Sequence, residues 1–172
     1  SGALSRSTAK WNIIGNGEMF SRLRQKTSKG EEGHWTDDWN GFPTARQRLI
    51  STIVRSKVSN PVFVTGDIHS FWVNDVKEDF ASDQSATVAT EIVGTSISSA
   101  GVPYDTFAAL LPQNPHVRFF ESRQRGYVLC TAGAKRMEVE LKTVDTVREP
   151  VSGGKTLATF VVESGNAGAV RA

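Results

Sequence analysis

Apolar positions are thin before residue 60 and fall into short, closely spaced groups after it. Near the start, Leu4 to Lys10 reads as the tail of a helix, and Trp11-Asn12-Ile13-Ile14 as a short buried strand. Residues 15 to 41 carry few apolar positions and many charges, among them Lys26, Lys29, Glu31 and Glu32. That polar stretch is expected to be a mobile surface loop or a lid over a site. Pro43 then suits the first turn of a helix, where its missing N–H does no harm. Leu49, Ile50, Ile53 and Val54 recur at helical spacing, while Arg46, Arg48 and Arg55 mark other faces. The helix must end before Asn60-Pro61, because a residue preceding proline avoids helical dihedrals.

Val62-Phe63-Val64 does not alternate, which predicts a strand covered on both faces. From there the pattern is mostly β, with strands expected at 71–76, 86–93, 117–121, 127–131, 137–144 and 156–162. Glu138-Val139-Glu140-Leu141 alternates cleanly, so that strand should have one wet face. A short helix is expected over Thr106 to Leu111 with Asp105 as its cap. Residues 163–172 read as a frayed tail. Internal repeats and low-complexity segments are absent.

At 172 residues the chain is one domain's worth, and 38% apolar and 22% charged residues suit a globular protein. Twenty basic against eighteen acidic residues leave +2, too small and dispersed to argue for nucleic acid or an anionic membrane as partner. A single cysteine, Cys130, excludes an intramolecular disulfide and any multi-cysteine zinc site. It sits in an apolar strand and reads as a small buried hydrophobe. No apolar run approaches the ~18 residues of a membrane span. The chain opens at Ser1, which suggests processing, an engineered boundary or a fragment.

The densest chemistry lies in Pro61 to Trp72, where a β-branched run reaches Gly66 and Asp67 and His69 follow at once. A buried strand thus ends in a turn presenting a carboxylate and an imidazole together. Hard oxygen and borderline nitrogen donors held at one sheet edge suit metal ions. The competing reading is an aspartate used for turn chemistry beside a packed histidine. Asp37-Asp38-Trp39-Asn40-Gly41-Phe42 with Arg46 forms a second polar group, and Thr95, Ser96, Ser98 and Ser99 a hydroxyl-rich turn. No base and orienting acid accompany those serines, so a nucleophilic triad is not indicated. His34 reads as a solvated loop histidine, and His116 as one used for packing or a backbone bond. Trp39 and Trp72 could wall a pocket or belong to the core.

Taken in order, Ser7 to Asn12, Asp37 to Pro43 with Arg46, Gly66-Asp67-Ile68-His69, Val93 to Ser99, Asn114-Pro115-His116, Phe119-Phe120 and Arg125 to Val128 resemble the C-terminal part of PhoD-like alkaline phosphatases/phosphodiesterases. The resemblance runs from about Leu4 to the end. It implies an α/β fold, the C-terminal half of a four-layered α/β/β/α metallophosphoesterase sandwich, mostly β after residue 60. It also implies metal-dependent hydrolysis of phosphate esters at alkaline pH, with calcium and iron as cofactors, in a secreted, periplasmic or cell-surface protein. By that likeness Asp67 and His69 are metal ligands, and Asp37 matches the first aspartate of an Asp-x-Trp-Asp-Gly-Tyr segment. Asn40 and Phe42 depart from that segment, and an asparagine ligates without bringing charge. Asn40, Arg46, Thr95, Ser96 and Ser99 would belong to the substrate pocket. Arg46 could be a phosphate clamp or an ion-paired helix arginine, and the hydroxyl turn could line the site or buttress it.

The family's remaining ligands (aspartates, an asparagine, a tyrosine and a cysteine) belong to motifs upstream of the point matching Leu4. Residues 1–172 are therefore expected to form a partial metallophosphatase domain, incomplete without a missing N-terminal half or another subunit. An uncovered half-sandwich would be aggregation-prone, partnered or marginally stable. The alternative is a non-catalytic β-rich binding domain derived from the same fold.

Overall fold

A computed structural model describes residues 2–26, 30–33 and 35–172. Its first sheet holds β1 (Asn12–Gly15), β4 (Pro61–Thr65), β6 (Thr87–Val93), β5 (Phe71–Lys77) and β7 (Val117–Glu121), side by side in that order. Its second sheet holds β11 (Val170–Arg171), β10 (Gly154–Glu163), β9 (Arg136–Val144) and β8 (Gly126–Ala132), all antiparallel. A small separate pair joins β2 (Gln25–Lys26) to β3 (Glu32–Gly33). The helices are α1 (Gly2–Ser5), α2 (Pro43–Arg55) and α3 (Tyr104–Ala108), with a 3-10 turn at Leu111–Gln113.

The expected strands after residue 60 are all present, each within two residues of its predicted bounds. β4 shows why a continuous apolar run means two covered faces. Val62 joins Met137, Val139, Leu141 and Phe160 between the sheets, while its neighbour Phe63 packs with Phe20, Ile50 and Ile53 under α2. Phe20 stacks on Phe63 with ring centroids 4.1 Å apart. Each such side chain contributes about 1.5–3 kcal/mol on full burial. β9 alternates as its sequence does: Met137, Val139 and Leu141 are buried, and Glu140 on the other face meets Lys142 at 2.5 Å. The chain therefore supplies helix, sheet and sheet, three layers of an α/β/β/α sandwich.

Strand direction matters most for function. β1, β4 and β6 are parallel, β5 is antiparallel to β6, and β7 is antiparallel to β5. Four strands thus point the same way, and the chain leaves all four at one edge of the sheet. Open α/β sheets place their ligands at such an edge.

Several elements differ from the sequence expectation. The segment from 15 to 41 is tied down within its described part: Met19, Phe20, Ser21 and Leu23 are buried. Its apolar residues Met19, Phe20 and Leu23 turn inward while Trp35 stays exposed, a difference that residue counting misses. Arg46 is not on an outer face of α2 but 7% exposed. Asp105 lies inside the first turn of α3, whose N-cap position is Pro103. Ile13 is 55% exposed, because β1 is an edge strand. The tail does not fray. β11 pairs with β10, Ser164 N–H donates to the Lys135 carbonyl (2.8 Å), and Gly168 N–H donates to Thr90 Oγ1 (3.0 Å). These are mostly backbone bonds with no apolar signature, so the sequence pattern could not announce them.

Candidate active site

Three parallel strands hand their following residues to the same edge, and backbone bonds lock the resulting turns together. Asn16 N–H donates to the Val64 carbonyl (3.0 Å), Gly66 N–H to Gly17 (3.4 Å) and Gly94 N–H to Thr65 (2.9 Å). The turns at 16–18, 66–69 and 94–99 therefore lie side by side.

The middle turn carries Asp67 and His69, at φ of 68° and 54°. Few non-glycine residues occupy that left-handed region, and each costs on the order of 1–3 kcal/mol unless its surroundings hold it. Here the surroundings are explicit. Ser70 Oγ donates to the Ile68 carbonyl (3.0 Å), the buried Trp72 indole N–H donates to Ser70 Oγ (2.8 Å), and Arg125 Nη1 donates to the His69 carbonyl (3.0 Å). Both side chains are exposed. His69 Nδ1 lies 3.1 Å from the Ala100 carbonyl, a contact in which Nδ1 donates and which, in the neutral tautomer, leaves the lone pair on Nε2.

A cavity of about 410 Å³ opens beside this turn, with Glu18, Asp37, Asp38, Asp67 and His69 on its wall. Met19, Ile68, Val102 and Phe107 give it an apolar side. Four carboxylates around one cavity repel one another. Glu18 shows the effect: burial, a hydrogen bond with Asp67, and the charges of Asp67, Asp37 and Asp38 all push its carboxyl above the ordinary range. Burial also raises Asp38, while hydrogen bonds from Asn40 and the charge of Arg46 pull it down. This donor set, hard oxygens with one imidazole, matches in kind what calcium and a first-row metal take. In number it falls short, since among the described residues no three His, Cys, Asp or Glu side chains are grouped to hold one ion.

The other predicted residues sit around this wall. Asn40 is buried behind it, donating from its backbone N–H (2.6 Å) and Nδ2 (2.9 Å) to the Asp38 carboxylate. Arg46 Nη1 donates in turn to Asn40 Oδ1 (2.9 Å) and lines a different cleft. Phe42 is 64% exposed, so the absent tyrosine hydroxyl leaves no buried gap. Thr95, Ser96 and Ser99 do not line the cavity. Thr95 Oγ1 donates to the Gln124 carbonyl (3.1 Å) and Ser96 Oγ to the Ser99 carbonyl (2.7 Å). Arg125 ties that turn to the ligand turn, reaching Ser96 Oγ (2.6 Å) and the Ser99 carbonyl (2.9 Å) with the same Nη1 that holds His69.

His116 is a structural residue, its Nε2 donating to the Arg22 carbonyl (2.7 Å). Trp72 is core, and Trp39 donates its indole N–H to Asn16 Oδ1 (3.0 Å). His34 lies outside the described residues. Glu18 and Asp38 escaped the sequence reading. The available signal was Asn16-Gly17-Glu18 after a short apolar strand, the same punctuation as Gly66-Asp67 after β4.

The family model for PhoD-like phosphatase matches residues 1–141. Alkaline phosphatase D of Bacillus subtilis (strain 168) is 34% identical over 168 residues, which cover 96% of this chain and 28% of that protein. A solved structure of PhoD superposes with a TM-score of 0.88 at 33% identity, covering 99% of this chain and 33% of that one. The chain thus spans about a third or less of the length of these relatives. With its fold, its strand-end turns and its sequence in agreement, the chain belongs to the PhoD-like phosphatase family.

Proposed function

We propose that this chain forms part of a metal-dependent phosphoesterase site at the edge where β1, β4 and β6 end. The observation that carries the reading is the clamped left-handed turn that sets Asp67 and His69 beside Glu18 and Asp37 on one cavity. Asp67, Asp37 and the Nε2 of His69 would hold the metal ions, calcium and iron by family resemblance. When bound, such ions supply Lewis-acid polarisation of a phosphoryl group. The chain's own contribution is to hold donors in place: Arg125 fixes the His69 peptide, the Ala100 carbonyl fixes the imidazole tautomer, and Asn40 orients Asp38. Donors from outside these 172 residues complete the set, in keeping with the family's upstream ligand motifs.

The test is hydrolysis of chromogenic phosphomonoesters and phosphodiesters at alkaline pH, with calcium and iron supplied, by the protein that carries this chain. Asp67→Ala and His69→Ala should each lower the rate by at least the roughly 10–100-fold that losing even an outer ligand partner costs. Unchanged rates in both variants would refute the assignment. The shortage of grouped donors favours one second reading, a non-catalytic β-rich binding domain. A folded protein that takes up no metal and hydrolyses neither substrate would establish it.

A further inference from the structure

We infer that the cleft between α2 and the turn following β5 binds a free oxyanion of the phosphate class. This cleft, about 610 Å³, shares no lining residue with the cavity at the strand edge. Arg22, Arg46, Arg48 and Arg55 line it, against a single carboxylate, Asp79. That carboxylate is engaged in its own turn, accepting the Ala81 N–H at 2.8 Å.

Arg46 is the informative member. It is 7% exposed, and its guanidinium lies over the Phe80 ring at 5.3 Å. Nη1 donates to Asn40 Oδ1 (2.9 Å) and the Phe20 carbonyl (3.5 Å), both neutral oxygens. Among the described residues Arg46 forms no ion pair, and its Nε and Nη2 donate to no protein acceptor. Asp38 and Glu91 act on it only through space. Asn40 thus sets an uncharged amide against a buried cation. Burial first, and the neighbouring Arg22 second, hold the Arg46 pKa down to about 10, against the opposing charges of Asp38 and Glu91. A guanidinium with a free edge pairs with oxyanions through two parallel hydrogen bonds, and such charge-assisted bonds are the strong ones. Arg48 and Arg55, both exposed on α2, extend the positive field along the cleft.

The test is an amide-shift titration of the metal-free protein, kept in chelator, with inorganic phosphate at constant ionic strength set by chloride. Saturable shifts are expected at residues 44–55 and 79–81. Asn40→Asp, which supplies Arg46 with an internal carboxylate, should raise the dissociation constant about tenfold, the worth of one charge-assisted hydrogen bond. Arg48→Gln, at an exposed position on α2, should weaken binding several-fold and serves if Asn40→Asp does not fold. Asp67→Ala should leave binding unchanged, which separates this cleft from the proposed metal site. Shifts that are linear and equal for phosphate and chloride would overturn the inference. So would saturable binding that Asp67→Ala abolishes.

Discussion

Replacing Glu91 by glutamine tests how the strand-edge site is held together. Glu91 is fully buried in β6 and spends both oxygens on four donors. Oε1 accepts the Phe20 N–H (2.6 Å) and the Thr65 hydroxyl (2.9 Å). Oε2 accepts the Ser21 N–H (3.0 Å) and Asn74 Nδ2 (3.0 Å). The carboxylate thereby pins the segment that follows Glu18 to the sheet beneath it. In Glu91→Gln, one oxygen becomes an NH2 group that faces two donors. Two bonds are lost and two buried donors are stranded, at about 1–3 kcal/mol each, for a loss of about 2–6 kcal/mol. Glu91→Leu strands all four and should cost more, a large share of the roughly 5–15 kcal/mol that holds a domain together. At about 2–4 °C per kcal/mol for a chain of this size, the glutamine variant should melt about 4–24 °C lower. Trp39 reports the local effect, since its indole bonds Asn16 and its ring sits edge-on to Phe20 at 4.9 Å. Thermal melts with tryptophan fluorescence, and limited proteolysis of residues 16–24, read the two consequences together. A glutamine variant within about 1 kcal/mol of the parent, with unchanged protection of 16–24, would refute the reasoning.

Other outcomes follow from the same structure. Burial holds the His116 pKa down to about 4 against 6.5 for the free side chain, so the unfolded chain binds more protons between those values. Stability is then full above pH 6.5 and falls by about 3 kcal/mol as pH drops to 4, at about 1.4 kcal/mol per unit; His116→Gln should flatten that slope in denaturant titrations across the window. Arg118, itself half exposed, binds the buried Asp75 carboxylate through Nε (2.7 Å) and Nη2 (2.5 Å), so Arg118→Met should cost about 1–3 kcal/mol in urea melts, much of it recovered when Asp75→Asn is added. A Cβ at Gly101 would overlap the Ser122 carbonyl and the Arg125 guanidinium. Gly101→Ala should therefore lower stability by about 1–3 kcal/mol and reduce phosphoester hydrolysis by loosening the His69 peptide. Removing residues 164–172 should lower the melting temperature, because Ala169 is buried and Gly168 bonds Thr90.

Much of this was legible in the residues themselves. Non-alternation in Val62-Phe63-Val64 announced a strand covered twice, and strict alternation in Glu138 to Leu141 a strand covered once. Gly66-Asp67-Ile68-His69 stood out because a turn ending an apolar strand is where polar chemistry has to be useful. What stayed hidden depends on long-range partners. Glu91 reads as an interruption in an apolar strand until the backbone of Phe20 and Ser21, some 70 residues away, is brought over it. Arg46 reads as a surface charge, because helical spacing cannot show that residues 20–22 and Phe80 close over it. Glu18 becomes a neighbour of Asp67 only through the parallel pairing of β1 with β4, which no local pattern specifies. The docked tail depends on hydrogen bonds from a glycine and a serine, residues that composition assigns to loops.

The central claim is that cations gather where β1, β4 and β6 end. It is tested most directly by titrating a paramagnetic divalent ion, manganese, into the protein and following amide line broadening. Broadening should appear first at residues 16–18, 37–38 and 67–69, and should disappear in the combined Asp67→Asn, His69→Ala variant. Broadening scattered over exposed carboxylates such as Glu78 and Glu149, and indifferent to that variant, would contradict the account.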